Sequence, residues 1–296
     1  MICIGFLATR ALSQTDSIIH STKKKRQVIL AGGSGALTLG SLVYLNQAWY
    51  ASYNTGHFHF FNDNREWLQM DKAGHLWTNY QMARLMMDAF EWAGYTPKTR
   101  RLLGAMIGFS YMTAVEVMDG FSKGWGFSWG DELADAAGTA LAVWQESVWR
   151  EQKIQLKFSY TASGLARYNP NLLGKNPGTQ ILKDYNGQTY WLSINPCSFG
   201  TNNGKWPAWL NLALGYKGNG MLGANENKTV IYGEGGQRIT FERLRNYYTS
   251  VDINLSKVKT KNKTLKALLS TFNILKIPAP ALAFNKHGVK FHYLYF

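Results

Sequence analysis

The amino-acid sequence predicts an α+β fold, in which an N-terminal bundle of about four helices precedes an antiparallel β-domain. Up to about Arg150 the apolar residues recur near the helical period of 3.6, and beyond it they alternate with polar residues. With 296 residues, 46% of them hydrophobic, the chain is long enough to build two such units with cores. We therefore expect a leader at 1–26, a helical bundle at 27–149 and the β-domain at 150–296.

The leader has features of a secretory signal peptide. A short apolar run from Ile2 to Ala8 precedes Ala11-Leu12-Ser13-Gln14, which is typical of the end of such a peptide. The basic residues that open a signal peptide are missing. A disordered leader that ends in the basic run at 23–26 is therefore an equal alternative.

The net charge of +14 raises nucleic acid as a partner, but its distribution argues against one. The basic residues form separate clusters at 23–26, 98–101 and 257–266, without a stripe of interleaved aromatic residues. Such clusters suit an anionic lipid or glycan surface. The two cysteines have no metal-ligand partner at motif spacing, so neither a zinc ribbon nor a disulfide scaffold is predicted.

The first helix of the bundle, Val28 to Leu45, is a candidate membrane helix. It runs eighteen residues without a charge, which reaches the lower limit for spanning a bilayer. The alternative is a buried or interfacial helix, because Ser34 and Thr38 dilute its hydrophobicity. We favour membrane association.

Three further helices are predicted from apolar spacing. They cover about 65–92, 99–118 and 131–149, and Gly104 and Gly108 share one face of the second. Short connections between successive helices are typical of a bundle.

Period-two alternation marks the strands of the β-domain, at about 154–160, 189–195, 210–216, 247–256 and 289–295. The chain ends on Phe296 after an aromatic alternating run, as outer-membrane barrels do, so a membrane β-barrel or partial barrel is one candidate form. About six strands are fewer than the eight of a bacterial barrel, and a soluble sheet covered by helices is the other candidate. A short helix at 264–275 and a break at Pro278-Ala279-Pro280 separate the last two strands.

Ionisable residues lie inside these apolar helices, where charge must be paired, hydrogen-bonded or used in chemistry. Asp71 and His75 are four residues apart and therefore share a helix face. A carboxylate at this spacing can orient the imidazole as a general base, and the pair can also ligate a metal. Alternatively, Asp71 interacts with the helix macrodipole and His75 is hydrogen-bonded within a core.

Glu116 lies among apolar neighbours at the end of the next predicted helix, so its carboxylate needs a partner. Asp119-Gly120 then turns the chain. Ser128 is a candidate N-cap of the following helix, with Asp131 in a weakened capping box. Asp135, one turn further, is assigned to the polar cluster, and Gly138 to close helix packing.

Two interpretations of these residues follow. In one, a bundle brings His75, Glu116 and Asp135 together as catalytic groups for acid–base or metal-assisted hydrolysis. In the other, which we favour because no nucleophile is indicated, they form a polar network that fixes helix register. The residues assigned to binding are Asp71, Lys72, Asp119, Ser128 and Asp131. The sequence identifies no cofactor and no particular metal.

The same residues resemble a known family. Asp71-Lys72-x-x-His75, Glu116-x-x-Asp119-Gly120 and the segment 126–138 are similar, over about Asp63 to Ala142, to the YfiM-like family of predicted periplasmic lipoproteins. The Asp-Lys-x-x-His start and the Asp-x-x-Ala-Asp-x-x-Gly helix also resemble VanZ-like membrane proteins. Neither resemblance implies a reaction. The chain departs from the lipoprotein pattern, since no lipobox precedes an acylatable cysteine and Cys3 lies too close to the start.

Together these observations predict a non-catalytic bacterial cell-envelope membrane protein that binds or organises lipid or cell-wall components. The alternative is a membrane-embedded hydrolase of a lipid or glycan that uses the His/Glu/Asp site. The expected location is the outer membrane, with the periplasmic side of the inner membrane as the alternative. The expected partners are a membrane lipid or cell-wall glycan and, through the sheet edge, another envelope protein, but not nucleic acid.

Overall fold

A computed structural model describes residues 3–50, 56–200, 206–227, 231–232 and 237–296. Helices and strands follow one another as predicted, and the α+β class is confirmed. In chain order the elements are α1 (Cys3–Leu45), α2 (Met70–Trp92), α3 (Pro97–Phe121), α4 (Trp129–Val148), β1 (Ile154–Tyr160), α5 (Pro170–Leu173), α6 (Pro177–Lys183), β2 (Gln188–Ile194), β3 (Leu210–Asn219), β4 (Ile231–Tyr232), β5 (Arg238–Ile239), β6 (Leu244–Ile253), α7 (Lys263–Phe272), β7 (Ala279–Asn285) and β8 (Gly288–Tyr295).

The predicted helix 28–45 is the last part of the longer helix α1. By length and composition two segments of the described chain could cross a membrane, Ser21–Leu45 in α1 and Pro97–Phe121, which is α3. Ser21–Leu45 is exposed along its apolar length, whereas α3 buries one face against α2. α1 contacts the bundle at Tyr111, whose hydroxyl donates to Ser41 Oγ at 3.0 Å, and at Trp92, whose backbone carbonyl accepts from Arg26 at 3.2 Å.

Helix α2 packs against both α3 and α4. It begins at Met70 and not at Arg65, because Trp67, Leu68 and Gln69 adopt positive φ angles of 48°, 52° and 61°. The apolar spacing suggested a longer helix, but side chains rarely allow this conformation within one. α4 begins as predicted, with Ser128 Oγ accepting from the backbone N–H of Asp131.

The β-domain is built on a six-stranded antiparallel sheet with the order β1-β2-β3-β6-β7-β8. Among the described residues β1 and β8 do not pair, so the sheet is not closed, and the complete β-barrel among the predicted forms is not what the structure shows. The predicted break at Pro278-Ala279-Pro280 is also wrong in part, since β7 begins at Ala279. Pro280 is tolerated there because its missing N–H coincides with a register shift against β8.

The two faces of this sheet are inverted relative to an ordinary soluble sheet. Leu212 and Leu214 of β3 are 47% and 57% exposed, whereas Lys157 of β1 and Asp252 of β6 are fully buried. The Lys157 Nζ lies 2.7 Å from Asp252 Oδ2, although two strands separate β1 from β6. Because neighbouring strands are about 4.8 Å apart, this contact shows that the sheet curls over its polar face.

Helix α2 covers part of the convex apolar face. Its Leu76 and Trp77 pack against Leu156 of β1 and Leu192 of β2. The apolar face continues, exposed, across β3, β6, β7 and β8. The helical bundle thus sits at one end of an apolar surface that extends beyond it.

Lys276 gives a test of the polar interior. It is fully buried, and its Nζ lies 4.9 Å from the Trp191 ring centre. Burial and the charge of Lys157 lower its pKa to about 8, although Asp252 acts in the opposite direction. In the unfolded chain the pKa of Lys276 stays near 10.5. Between pH 8 and 10.5 the unfolded state therefore binds more protons than the folded state. This group therefore contributes increasing stability as pH rises through that window.

We expect the free energy of unfolding of Lys276→Met, relative to the wild type, to fall by about 1–2 kcal/mol between pH 7 and pH 10. Chemical denaturation at several pH values measures it. The exposed Lys259→Met is the control and should show no such trend. A constant difference for Lys276→Met would contradict the expectation.

Candidate functional site

The predicted polar residues meet at one end of the bundle. The start of α2, the end of α3 and the start of α4 lie together there, because successive helices joined by short connections run antiparallel. α2 contributes Asp71, Lys72 and His75, α3 contributes Glu116 and Asp119, and α4 contributes Asp131 and Asp135. We call His75 and the carboxylates within 4.0 Å of its ring nitrogens (Asp71, Glu116, Asp131 and Asp135) the His75 cluster.

His75 is the centre of this cluster and is 9% exposed. Its Nδ1 lies 3.2 Å from both carboxylate oxygens of Asp135, which is fully buried. Its Nε2 points the other way, with Glu116 Oε1 and Asp131 Oδ1 at 3.7 Å and Asp71 Oδ1 at 4.0 Å. The Asp135 carboxylate accepts from Nδ1–H and fixes the direction of Nε2.

Gly138 makes this contact between α2 and α4 possible. A Cβ at this position would lie 2.2 Å from the backbone oxygen of Leu76. Only glycine lets the two helices approach so closely that Asp135, one turn earlier, reaches His75. The packing role assigned to Gly138 from the sequence has this physical basis.

The loop between α3 and α4 is tied to the cluster by Glu116 and Ser128. Glu116 Oε2 accepts from the backbone N–H of Ser128 at 3.0 Å, and the Ser128 hydroxyl lies 2.5 Å from Asp63 Oδ1. Asp131 takes part in the cap only through its backbone N–H. Its carboxylate does not cap the helix but faces His75 and Lys72.

Lys72 supplies the cation of the cluster. Its Nζ lies 2.6 Å from Asp63, 2.7 Å from Asp131 and 3.4 Å from Asp71. Five carboxylates, those of Asp63 and the His75 cluster, lie within 4.0 Å of Lys72 or His75. The site therefore holds more acidic than basic groups.

Burial and this charge balance shift the pKa values of the acids. Burial raises the pKa of Glu116 to about 9, with Asp131 and Asp119 adding to the shift and His75 opposing it. Burial and Asp71 raise the pKa of Asp131. Burial opposes ionisation of Asp71 too, but His75 and Lys72 outweigh it and lower the Asp71 pKa. The site therefore keeps Asp71 ionised and disfavours ionisation of Glu116 and Asp131.

Asp119 is set apart from the His75 ring. Its carboxylate bonds to the side chain of Tyr50, and burial, with Asp71 adding to it, raises its pKa to about 7. Sequence reasoning missed Tyr50, Asp63 and Tyr185, the last of which donates from its hydroxyl to Asp71 Oδ1. Tyr185 lies 114 residues after Asp71, so no local spacing indicates the contact.

The cluster opens onto two spaces. A cleft is lined by Asp63, Asp71, His75, Glu116, Asp119 and Asp131 among others. A cavity of about 490 Å³ lies between α1, α2, α3 and the start of the sheet. Asp71, His75 and Asp119 contribute to its wall, and most of its other lining is aromatic or aliphatic, including Trp49, Tyr111, Val115, Phe158 and Tyr190.

The helices that carry the cluster resemble a known family. Residues 58–147 match the model of a family described as predicted periplasmic lipoprotein (DUF2279). The match covers less than a third of the chain but includes α2, α3 and nearly all of α4, and thus every residue of the His75 cluster. The finer resemblances, to YfiM and to VanZ-like proteins, stay predictions. The chain matches no curated protein and no solved structure.

Gly138→Ala tests the close approach of α2 and α4. Alanine normally favours a helix, but here its Cβ would meet the Leu76 carbonyl, so we expect a loss of about 1–3 kcal/mol in stability. Thermal unfolding measures it. The matched control is Gly35→Ala in α1, where a Cβ meets nothing within 4 Å and stability should be unchanged or slightly higher. Wild-type stability of Gly138→Ala would contradict this account.

Lys72→Met tests the charge balance. Removing the lysine leaves the carboxylates of Asp63 and Asp131 without the cation that they share, so we expect a loss of about 2–4 kcal/mol at neutral pH. The double variant Lys72→Met/Asp131→Asn should lose less than the sum of its parts. Exposed Lys98→Met serves as the control. Additive losses would show that Lys72 and Asp131 are not coupled.

Proposed function

We propose that this chain is a non-catalytic envelope protein that binds the acyl part of a membrane lipid in the 490 Å³ cavity. The observation that carries this function is the cavity itself, which is walled by apolar and aromatic side chains and ends at polar ones. Pockets of this kind hold an apolar ligand and orient it by a few polar groups. A lipid fits this lining better than a cell-wall glycan, which would need polar partners along its length.

Three observations support the envelope as its location. The family matched by 58–147 is described as periplasmic. Ser21–Leu45 is long and apolar enough for a membrane anchor, and its basic residues 23–26 suit anionic lipid head groups. The exposed apolar side chains of β3 and β6 to β8 offer a second surface for a bilayer.

We favour the outer membrane and keep the periplasmic side of the inner membrane as the alternative. The predicted protein partner stays a prediction.

A hydrolase is the second candidate, and one observation favours it. His75 is oriented by Asp135, and its Nε2 faces Glu116, which lines the same cleft as His75. In such an enzyme His75 would be the base and Glu116 the acid, whereas Asp135 would position His75 from behind. Loss of lipid or glycan hydrolysis in His75→Gln, with the melting temperature kept, would support this candidate.

Val115→Trp tests lipid binding. Val115 lines the cavity, so an indole there would fill space that an acyl chain needs. Native mass spectrometry of the full chain, released from detergent micelles containing phosphatidylethanolamine, measures retained lipid. We expect at least tenfold less retained lipid than in the wild type.

The matched control is Val117→Trp, two residues along the same helix. Val117 is 39% exposed and lines none of the described cavities, so this variant should retain lipid as the wild type does. Equal retention by Val115→Trp and the wild type would refute binding in this cavity.

A further inference from the structure

We propose that the His75 cluster is a binding site for a divalent transition-metal ion, with His75 Nε2, Asp71 Oδ1, Glu116 Oε1 and Asp131 Oδ1 as ligands. This does not depend on the lipid binding proposed above. Imidazole with several carboxylates is a donor set that suits Zn²⁺ or Mn²⁺, whereas thiolate-preferring ions such as Cu(I) find no sulfur ligand in this cluster.

The spacing of the donor atoms fits one ion. The three carboxylate oxygens lie 3.7 Å, 3.7 Å and 4.0 Å from His75 Nε2, and donor atoms of Asp71, His75 and Asp131 all lie within 4.8 Å of one another. Two ligand atoms about 2.1 Å from a tetrahedral ion are about 3.4 Å apart. Asp71, His75 and Asp131 therefore need only small side-chain movements to reach a common ion, and Glu116 Oε1, 3.7 Å from His75 Nε2, is the nearest candidate for a fourth ligand.

An unpartnered nitrogen points to a ligand independently of the acids. The His75 side chain is 11% exposed and lines the cleft, and among the described residues no group hydrogen-bonds to its Nε2; the nearest carboxylate oxygens lie 3.7 Å away. A ring nitrogen that faces a cleft among acidic side chains is free to bind a ligand from that cleft. The missing partner of Nε2 lies in the space that the three carboxylates enclose.

Asp135 bonds to the other ring nitrogen of His75, as a carboxylate beside a metal-binding histidine does. Metal-binding histidines usually donate their other N–H to a carboxylate, which fixes the ring and increases its basicity as a ligand. Asp135 accepts from Nδ1 in this way and lies on the far side of the ring from the three carboxylates. We therefore assign Asp135 as a positioning residue and not as a ligand.

The site has more acidic groups than basic ones, so it can accommodate a further cation. Lys72 contacts Asp63 and Asp131 most closely and Asp71 through Oδ2 at 3.4 Å, whereas among the described residues Glu116 has no ion pair with a lysine and faces His75. A divalent ion would compensate the excess of acidic groups. It can enter from the cleft, whose wall includes all four proposed ligands.

Zn²⁺ titration of the purified, chelator-treated full chain tests the site. We expect one Zn²⁺ per chain by isothermal titration calorimetry, and at least 100-fold weaker binding in His75→Gln and Glu116→Gln. Asp135→Asn should weaken binding by about 10–100-fold while keeping the stoichiometry. The control is Glu132→Gln, which removes a neighbouring buried acid that bonds to Thr113 instead, and it should bind within threefold of the wild type.

Mn²⁺ binding to the wild type tests the site without depending on whether a variant folds. Pulsed electron paramagnetic resonance of the wild type with one equivalent of Mn²⁺ should show nitrogen modulation from one imidazole. The signal should persist in Glu132→Gln and disappear in His75→Gln. A wild-type Mn²⁺ site without nitrogen modulation, no stoichiometric Zn²⁺ binding, or equal affinity in folded His75→Gln and the wild type would overturn the assignment.

The lipid and metal experiments fail separately. Lipid retention is measured with Val115→Trp, which leaves every proposed ligand in place, and metal binding is measured without lipid. Loss of lipid retention with intact metal binding, or the reverse, therefore identifies which of the two proposals is wrong.

Discussion

The contact between His75 and Asp135 is the interaction on which the rest of the bundle depends. It joins α2 to α4 across a helix pair that only Gly138 allows to approach so closely. Since Nδ1 is held on that side, Nε2 must point toward α3 and the loop before α4. Glu116 and Asp131 are brought to it by the same helix ends, so one hydrogen-bonded pair sets the geometry of the whole site.

Buried acids at this density destabilise a fold unless something compensates them. Lys72 provides part of the compensation, and backbone and hydroxyl donors such as Ser128 and Tyr185 provide more, while burial still raises the pKa of Glu116. A purely structural network does not need more acidic than basic groups. Ionisable groups with strongly shifted pKa values occur most often where a ligand or a reaction uses them.

The sheet and the bundle share one feature, because each buries charged side chains beside its apolar core and also exposes apolar side chains on its surface. The curled sheet encloses Lys157, Asp252 and Lys276, and its convex face exposes Leu212 and Leu214. The bundle encloses the His75 cluster, and α1 exposes its apolar length. This order is stable where the surroundings are apolar, since water no longer penalises the outward side chains.

The sequence by itself determined the fold class, the helices α2 to α4, the Ser128 cap and the candidate residues of the cluster, because these follow from local periodicity and from charges in apolar segments. It could not determine that α2 starts only after Gln69, that the sheet stays open or that Asp131 faces His75. The alternation of polar and apolar residues predicts the two faces of a strand but not the strand with which it pairs. The spacing of apolar residues predicts one face of a helix but not which residues pack against that face. Contacts such as Tyr185 with Asp71 join residues far apart in the chain, and only tertiary packing decides them.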